Sequence, residues 1–129
     1  MDPAPVPREL SDDVVTLRSW TPADAAWYAA CTKDPEVQRF TTDPPTLTTE
    51  DVAAAITALA EHPQRVAYLV TDRAGGGRLG NIALDHSDGV GDVSYWVAAA
   101  ARGRGVARSA LDLLATAAFA DLHLAELRL

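Results

Sequence analysis

VSYWVAAAARGRGVARSALDLLATAA, residues 93–118, is the stretch of this chain that decides its fold. It begins with a short apolar run, VSYWV, that predicts a β-strand. A loop of small residues follows, and then a long helical pattern with apolar positions along one face. Strand, glycine-bearing turn and helix start, in that order, are typical of sites that bind phosphate groups.

The turn between this strand and helix, RGRGVA, suits a phosphate for physical reasons. The first N–H groups of a helix have no partner within the helix, and the helix dipole favours an anion beside them. Gly103 and Gly105 lack the Cβ atoms that would hold a ligand away from the backbone. Arg102 and Arg104 add positive charge at the same place.

Two familiar phosphate motifs do not fit this turn. A Walker A loop needs Lys-Ser/Thr after its glycine, whereas Gly105 is followed by Val106 and Ala107. A Rossmann fingerprint needs a third small residue, but Arg108 occupies that position. The pattern that does fit is R-x-x-G-x-A, formed by Arg102, Gly105 and Ala107.

This pattern, together with the strand SYWV before it, resembles motif A of the GNAT family of acetyl-CoA-dependent N-acetyltransferases. The turn RGRGVA is similar to that of the RimJ/RimL branch. The resemblance extends from about Val14 to Leu129, and in the N-terminal half it rests on LRSWTPADAAWYAACTKDPEV. It implies transfer of an acetyl group to a primary amine, either a protein N-terminus or a small molecule.

The resemblance also implies which residues bind acetyl-CoA. The turn would hold the pyrophosphate through its amides, and the end of the preceding strand would line the pantetheine arm. The implied residues are Trp96, Val97, Arg102, Gly103, Arg104, Gly105, Val106 and Ala107. In this family the segment between the first two helices borders the acceptor site, so residues 41–47 are expected to influence the choice of amine.

A base is needed because an amine attacks a thioester only when it is neutral. Asp92 is the first candidate, since it begins the motif-A strand, where related enzymes often carry a glutamate. His86 and Glu126 are the alternatives. A solvated residue at a strand end is the competing explanation for each of them. No covalent nucleophile is required, which suits a chain without a persuasive Ser/His/Asp or Cys/His set.

The whole chain predicts one α/β domain with a mixed, mostly antiparallel sheet and helices on both faces. The proline-rich residues 1–12 are expected to form a loose arm, and residues 13–129 the acetyltransferase domain. A triple glycine and residues 87–91 predict two turns between strands. The predicted strands are 14–20, 65–72, 78–85, 92–97 and 125–129, and the predicted helices are 21–32, 48–62 and 103–121.

Composition excludes several other classes of protein. The net charge of −7 argues against nucleic acid as the main partner. The single cysteine, Cys31, permits no intrachain disulfide, and three scattered histidines predict no metal site. No apolar stretch is long enough to span a membrane, and the N-terminus does not resemble a signal peptide. A cytoplasmic protein is therefore expected.

The last predicted strand ends at Leu129, whereas domains of the resembling family usually continue with a helix and two strands. The domain is therefore expected to be truncated at its C-terminus, to be completed by a second copy or another chain, or to have lost activity. A non-catalytic CoA-binding or interaction module completed by a partner chain is accordingly the alternative function. An NTPase is a third hypothesis, but the chain lacks its Lys-Ser/Thr and metal carboxylate.

Overall fold

A six-stranded sheet organises the fold, and the computed structural model describes it over residues 9–129. The strands lie in chain order from one edge to the other, antiparallel throughout except for the last pair, which is parallel. The strands are β1 (Glu9–Ser11), β2 (Val15–Ser19), β3 (Arg65–Asp72), β4 (Arg78–Ser87), β5 (Val90–Val97) and β6 (Glu126–Arg128). The helices are α1 (Ala25–Cys31), α2 (Pro35–Gln38), α3 (Thr49–Leu59) and α4 (Val106–Asp121).

Part of the predicted N-terminal arm, residues 1–12, is a β-strand. Glu9–Ser11 forms β1 and pairs with β2, with Leu10 opposite Leu17. Leu10 packs against the core, so burial of its side chain accounts for the pairing. Residues 1–8 of the predicted arm lie outside the described part of the chain.

Local capping residues precede the first three helices, and of these α1 and α3 begin close to where the sequence predicts. Thr21 precedes a single 3₁₀ turn, Pro22–Asp24, which leads directly into α1. Asp34 caps α2 by accepting a hydrogen bond from the N–H of Glu36 at 2.8 Å. Thr48 caps α3 by accepting from the N–H of Asp51 at 3.1 Å. These contacts supply acceptors for N–H groups that the helices leave unpaired.

The turn between β4 and β5 and the start of α4 differ from the prediction, because residues at both places have positive φ. Asp88 and Gly89 have φ of 53° and 81°, as a two-residue hairpin turn requires, so β4 and β5 extend further than predicted. Gly103 and Gly105 have φ of 78° and 75°. Helix α4 therefore begins at Val106 rather than at about residue 103.

Helices cover both faces of the sheet, as predicted. Helix α4 connects β5 to β6 and packs on one face, where it buries Val106, Ala110 and Leu114 against the main core. Helices α1 and α3 lie together on the other face. The sheet residues buried beneath α4 include Val15, Leu17, Tyr68, Val70, Ile82, Leu84 and Val93.

A buried aspartate joins the start of the first helix to the sheet. Asp24, only 1% exposed, accepts two hydrogen bonds of 2.9 Å from Arg18 on β2 and one of 2.9 Å from Arg78 on β4. It also accepts from the N–H of Thr21 at 2.9 Å. Burial alone would raise the pKa of Asp24, but the hydrogen bonds outweigh it and hold that pKa well below its ordinary value.

The variant Asp24→Ala is expected to lower the free energy of unfolding at neutral pH by about 3 kcal/mol, because two guanidinium groups lose their shared partner. This loss is at the lower end of the range for a broken buried ion pair, because the side chains of Arg18 and Arg78 remain 33% and 38% exposed. Because the pKa of Asp24 is lower in the folded chain, its stabilisation is complete above the unfolded value of about 4 and is lost at lower pH. Urea unfolding at about pH 7 and pH 3 measures both effects.

The matched control is Asp13→Ala, because Asp13 is exposed. That variant should unfold within about 0.5 kcal/mol of the wild type. Equal losses in the two variants, or a loss in Asp24→Ala that does not shrink in acid, would contradict the assigned role of Asp24.

Candidate functional site

The turn that precedes α4 is open around its two glycines. Gly105 is the residue immediately before α4, and Gly103 lies two residues earlier in the same turn. A Cβ atom placed on either glycine would meet no heavy atom within 4 Å. The backbone is therefore accessible here to a ligand larger than water.

The amides at this helix start are unpaired. The first hydrogen bond of the helix runs from the N–H of Ser109 to the carbonyl of Gly105 at 3.1 Å. Over residues 9–129, the N–H groups of Val106, Ala107 and Arg108 have no hydrogen-bond partner. Unpaired N–H groups and the positive end of the helix dipole are features that favour an anion at this position.

Two arginines are held beside the turn by carboxylates. Arg102 pairs with Asp34 at 3.1 Å and also donates to the carbonyl of Val97 at 3.1 Å. Arg104 pairs with Asp72 at 3.2 Å. Both guanidinium groups remain partly exposed. The turn thus offers open backbone, unpaired N–H groups and two positive charges, which fits a pyrophosphate group.

Beyond the turn, β5 presents one edge of its backbone to the surroundings. Strand β6 pairs with β5 only through Val90, Gly91 and Asp92. Within the described chain, no strand pairs with this edge of β5 from residue 93 to 97. An extended ligand can therefore add along it by backbone hydrogen bonds.

The backbone N–H and C=O groups of successive residues in β5 point to opposite sides of the strand, and this alternation shows which residues face the unpaired edge. The N–H of Ala98 donates to the carbonyl of Leu79 on the β4 side at 2.8 Å. Because backbone groups alternate along a strand, those of Trp96 face β4, and those of Tyr95 and Val97 face the unpaired edge. The structure thus places the backbone of Val97 on the predicted ligand path, whereas the Trp96 side chain is 2% exposed on the face toward α1.

Two adjoining cavities follow β5 away from the turn. The smaller, of about 240 Å³, is lined by Arg102, Val97, Trp96, Tyr95 and Phe40, among others. The larger, of about 460 Å³, shares Trp96, Tyr95 and Phe40 with it. We call the larger one the central cavity; its other lining residues include Tyr28, Asp43, Arg65, Asn81, Asp85 and Ser94.

An aromatic cluster forms the wall of the central cavity. The ring of Tyr28 packs edge-on against Trp20 and Trp96, with centroids 5.1 and 5.4 Å apart. Its hydroxyl donates to Asp43. Burial, and then this carboxylate, raise the pKa of Tyr28 above its ordinary value, so the hydroxyl stays protonated. In the described part of the chain, Nε1 of Trp96 is buried without a hydrogen-bond partner.

The predicted base, Asp92, lies in a row of charges that crosses four strands. It stands opposite Asp85 of β4 on one side and opposite Arg128 of β6 on the other. Asp85 in turn faces Arg65 of β3 and forms an ion pair with it. Opposite charges thus flank the two neighbouring carboxylates.

The structure brings only two of the three predicted bases together. Asp92 and His86 line one polar groove of about 470 Å³, which we call the polar groove. Asp85 lines both this groove and the central cavity, so the two adjoin. Glu126 is exposed and pairs with Arg128 at 3.2 Å. Asp92 is therefore better placed than Glu126 to serve the central cavity.

Sequence reasoning missed several residues of this site. Tyr28, Arg65 and Asn81 come from α1, β3 and β4, and nothing in the local sequence brings them together. Asp43, in contrast, lies within the segment 41–47 that is expected to border the acceptor site. The closeness of Trp27 and Tyr28 to Trp20 in the sequence was the available signal for an aromatic cluster.

Cys31, at the end of α1, is half-buried. Burial, and then the charge of Asp34, raise the pKa of its thiol to about 11, which disfavours a reactive thiolate. Among residues 9–129, no group of three His, Cys, Asp or Glu side chains could hold a metal ion. None of the helices described here is long and apolar enough to cross a membrane.

Comparison with known proteins gives a consistent result. The family described as "Acetyltransferase (GNAT) domain" matches residues 15–129. No curated protein matches the chain significantly by sequence. The ribosomal-protein-S5-alanine acetyltransferase from Vibrio fischeri superposes with a TM-score of 0.75 and 16% identity, covering 90% of this chain and 69% of that one.

Two further similar structures contain CoA or a CoA derivative. Spermidine N-acetyltransferase from Vibrio cholerae, in complex with CoA and spermine, gives a TM-score of 0.77 at 15% identity, covering 88% of this chain and 68% of that one. Mycobacterium smegmatis RimJ, in complex with CoA-disulfide, gives 0.70 at 20% identity, covering 95% and 65%. At these identities the likeness is one of fold.

Proposed function

This chain belongs to the GNAT acetyltransferase family, whose members are acyltransferases that use acyl-CoA, and we propose that it moves an acetyl group from acetyl-CoA to a primary amine. We further propose that it is an N-acetyltransferase of the RimJ/RimL type. The observation that carries this proposal is the continuity of the site. An anion-binding helix start, an unpaired strand edge and a cavity follow one another along β5.

In this proposal the chain binds acetyl-CoA in three parts. The N–H groups of Val106 and Ala107, with Arg102 and Arg104, bind the pyrophosphate. The pantetheine arm lies along the unpaired edge of β5 and bonds to the backbone of Val97. The thioester then lies at the central cavity, where a backbone N–H of β5 polarises its carbonyl group.

The reaction is direct transfer within a ternary complex. The amine nitrogen attacks the carbonyl carbon of the thioester, a C–N bond forms, and the C–S bond breaks. Before the attack, Asp92 accepts through water in the polar groove the proton that the ammonium group gives up. The CoA sulfur leaves as a thiolate and takes up, through solvent, the second proton, which the nitrogen loses as the C–N bond forms.

Calorimetric titration of acetyl-CoA into the 129-residue chain, with ATP as the control ligand, tests the binding half of this proposal. Saturable binding of acetyl-CoA without a response to ATP is expected, because the unpaired edge of β5 suits a pantetheine arm. Amine-dependent release of the CoA thiol tests the chemical half. A stable dimer that binds CoA and acetylates no amine would instead support the non-catalytic module.

A further inference from the structure

A further cavity of about 310 Å³ lies between α3 and the sheet, beside the central cavity. We call it the apolar cavity, because most of its lining residues are aliphatic or aromatic. The residues that matter here are Leu47, Val52, Ala55, Ile56, Leu59 and Ala67. Its volume is at the lower end of the range for small-ligand sites, roughly 300–1,000 Å³.

The apolar and central cavities share one wall. Tyr28, Asp43, Arg65 and Asn81 line both of them. A molecule whose amine reaches the thioester in the central cavity can therefore place a neighbouring group in the apolar cavity. The amine and this neighbouring group must be joined by a short linkage, because the two cavities adjoin at the shared wall.

The polar groups of the shared wall already have partners. The Tyr28 hydroxyl donates to Asp43, Arg65 pairs with Asp85, and Asn81 accepts from the indole N–H of Trp20 at 3.0 Å. Asp51 and His62 also line the apolar cavity, and both are exposed. The rest of its lining outside the shared wall is apolar, so a hydrocarbon side chain can bury its surface there. The cavity therefore favours a hydrocarbon side chain on the acceptor.

The charges of the shared wall suit the rest of the acceptor. The carboxylates of Asp43 and Asp85 line the central cavity, where they attract the ammonium group before it loses its proton. The guanidinium group of Arg65 lies at the same wall and favours a carbonyl or carboxylate oxygen next to the amine. An amine with an oxygen on one side and a hydrocarbon on the other is an α-amino group.

We propose that the acceptor is an α-amine with a bulky apolar side chain, supplied by an amino acid or by the first residue of a peptide. This inference rests on the proposed N-acetyltransferase function. The side chain occupies the apolar cavity beneath α3, and the α-amine lies at the wall shared with the central cavity. The acetylated nitrogen is therefore the α-nitrogen.

The test compares acceptors that differ only in the apolar side chain. L-leucinamide should be acetylated with a kcat/KM at least about tenfold above that of glycinamide, because a filled apolar pocket discriminates by this much. Spermidine, as a polyamine, should be no better than glycinamide. Acetylation of free L-leucine would identify an amino acid as the source of the α-amine. Acetylation of a peptide that begins with leucine, but not of free L-leucine, would identify a peptide N-terminus.

A matched pair of variants locates the preference. Ala55 and Ala54 are neighbouring exposed residues of α3, but only Ala55 lines the apolar cavity. Ala55→Trp should fill the cavity and remove the preference for L-leucinamide while glycinamide is still acetylated. Ala54→Trp should keep the preference. Quenching of intrinsic fluorescence by L-leucinamide gives a second readout, since Trp20 lines the same cavity.

The outcomes separate this inference from the proposed function. If the wild type acetylates glycinamide and L-leucinamide equally, the apolar acceptor is overturned and the acetyltransferase proposal stands. The apolar acceptor is also overturned, with the acetyltransferase proposal intact, if Ala54→Trp and Ala55→Trp both lose the preference for L-leucinamide. If acetyl-CoA binds but no amine is acetylated, the proposed function fails and this inference fails with it.

Discussion

The variant Gly105→Glu is expected to lose detectable binding of acetyl-CoA, with an affinity at least about 100-fold below that of the wild type. Gly105 immediately precedes α4, and a side chain there would project into open space rather than into the protein. The added carboxylate would therefore occupy the place of the pyrophosphate and repel it. Calorimetric titration of acetyl-CoA measures the loss, and circular dichroism shows that the variant is folded.

Gly105→Ala separates charge from backbone strain. Gly105 has φ of 75°, so any other residue there is strained, at a cost of about 1–2 kcal/mol. Alanine introduces that strain without a negative charge or a long side chain. We expect it to weaken binding far less than glutamate does. Unchanged affinity in Gly105→Glu would refute the assignment of this turn to the pyrophosphate.

The strand, turn and helix of residues 93–118 could be predicted because their signals are local. The apolar run gives β5, the small residues and glycines give the turn, and the spacing of Val106, Ala110 and Leu114 gives the buried side of α4. Caps at Thr48 and Asp34 likewise act within three residues of themselves. Even here, the exact start of α4 depended on backbone angles that the sequence suggests only through its glycines.

The charged row and the cavities could not be predicted, because they depend on contacts far apart in the sequence. Arg65 meets Asp85 only through the register of β3 against β4, and Asp92 meets Arg128 only through a crossover by α4. A shift of one residue would turn each of these side chains to the other face of the sheet. The apolar cavity also requires α3 to pack beside the sheet, which no local pattern specifies.

Register also changes how the three candidate bases compare. From the sequence, Asp92, His86 and Glu126 are all polar residues near strand ends. In the structure Asp92 and His86 share the polar groove, and Asp85 connects that groove to the central cavity. Glu126 lies outside this arrangement, paired with Arg128. In the proposed mechanism, the position of Asp92 opposite Asp85 gives the amine proton a path from the central cavity to a carboxylate in the polar groove.

Asp92→Asn is expected to lower kcat by about 100-fold, the smaller end of the range for a lost general base, because Asp92 is exposed and in the proposed mechanism acts through water. Asparagine keeps the shape of the side chain, and Asp92 lies away from the phosphate turn, so the affinity for acetyl-CoA should not change. Steady-state release of the CoA thiol gives kcat, and calorimetry gives the affinity.

Glu126→Gln is the matched control, because it also replaces a carboxylate by an amide beside Arg128 but lies outside the polar groove. It should retain activity within about twofold of the wild type, since an exposed ion pair contributes little. His86→Gln tests the remaining candidate in the same groove. Near-normal kcat in Asp92→Asn together with a large loss in His86→Gln would transfer the role of base to His86, because both side chains line the polar groove.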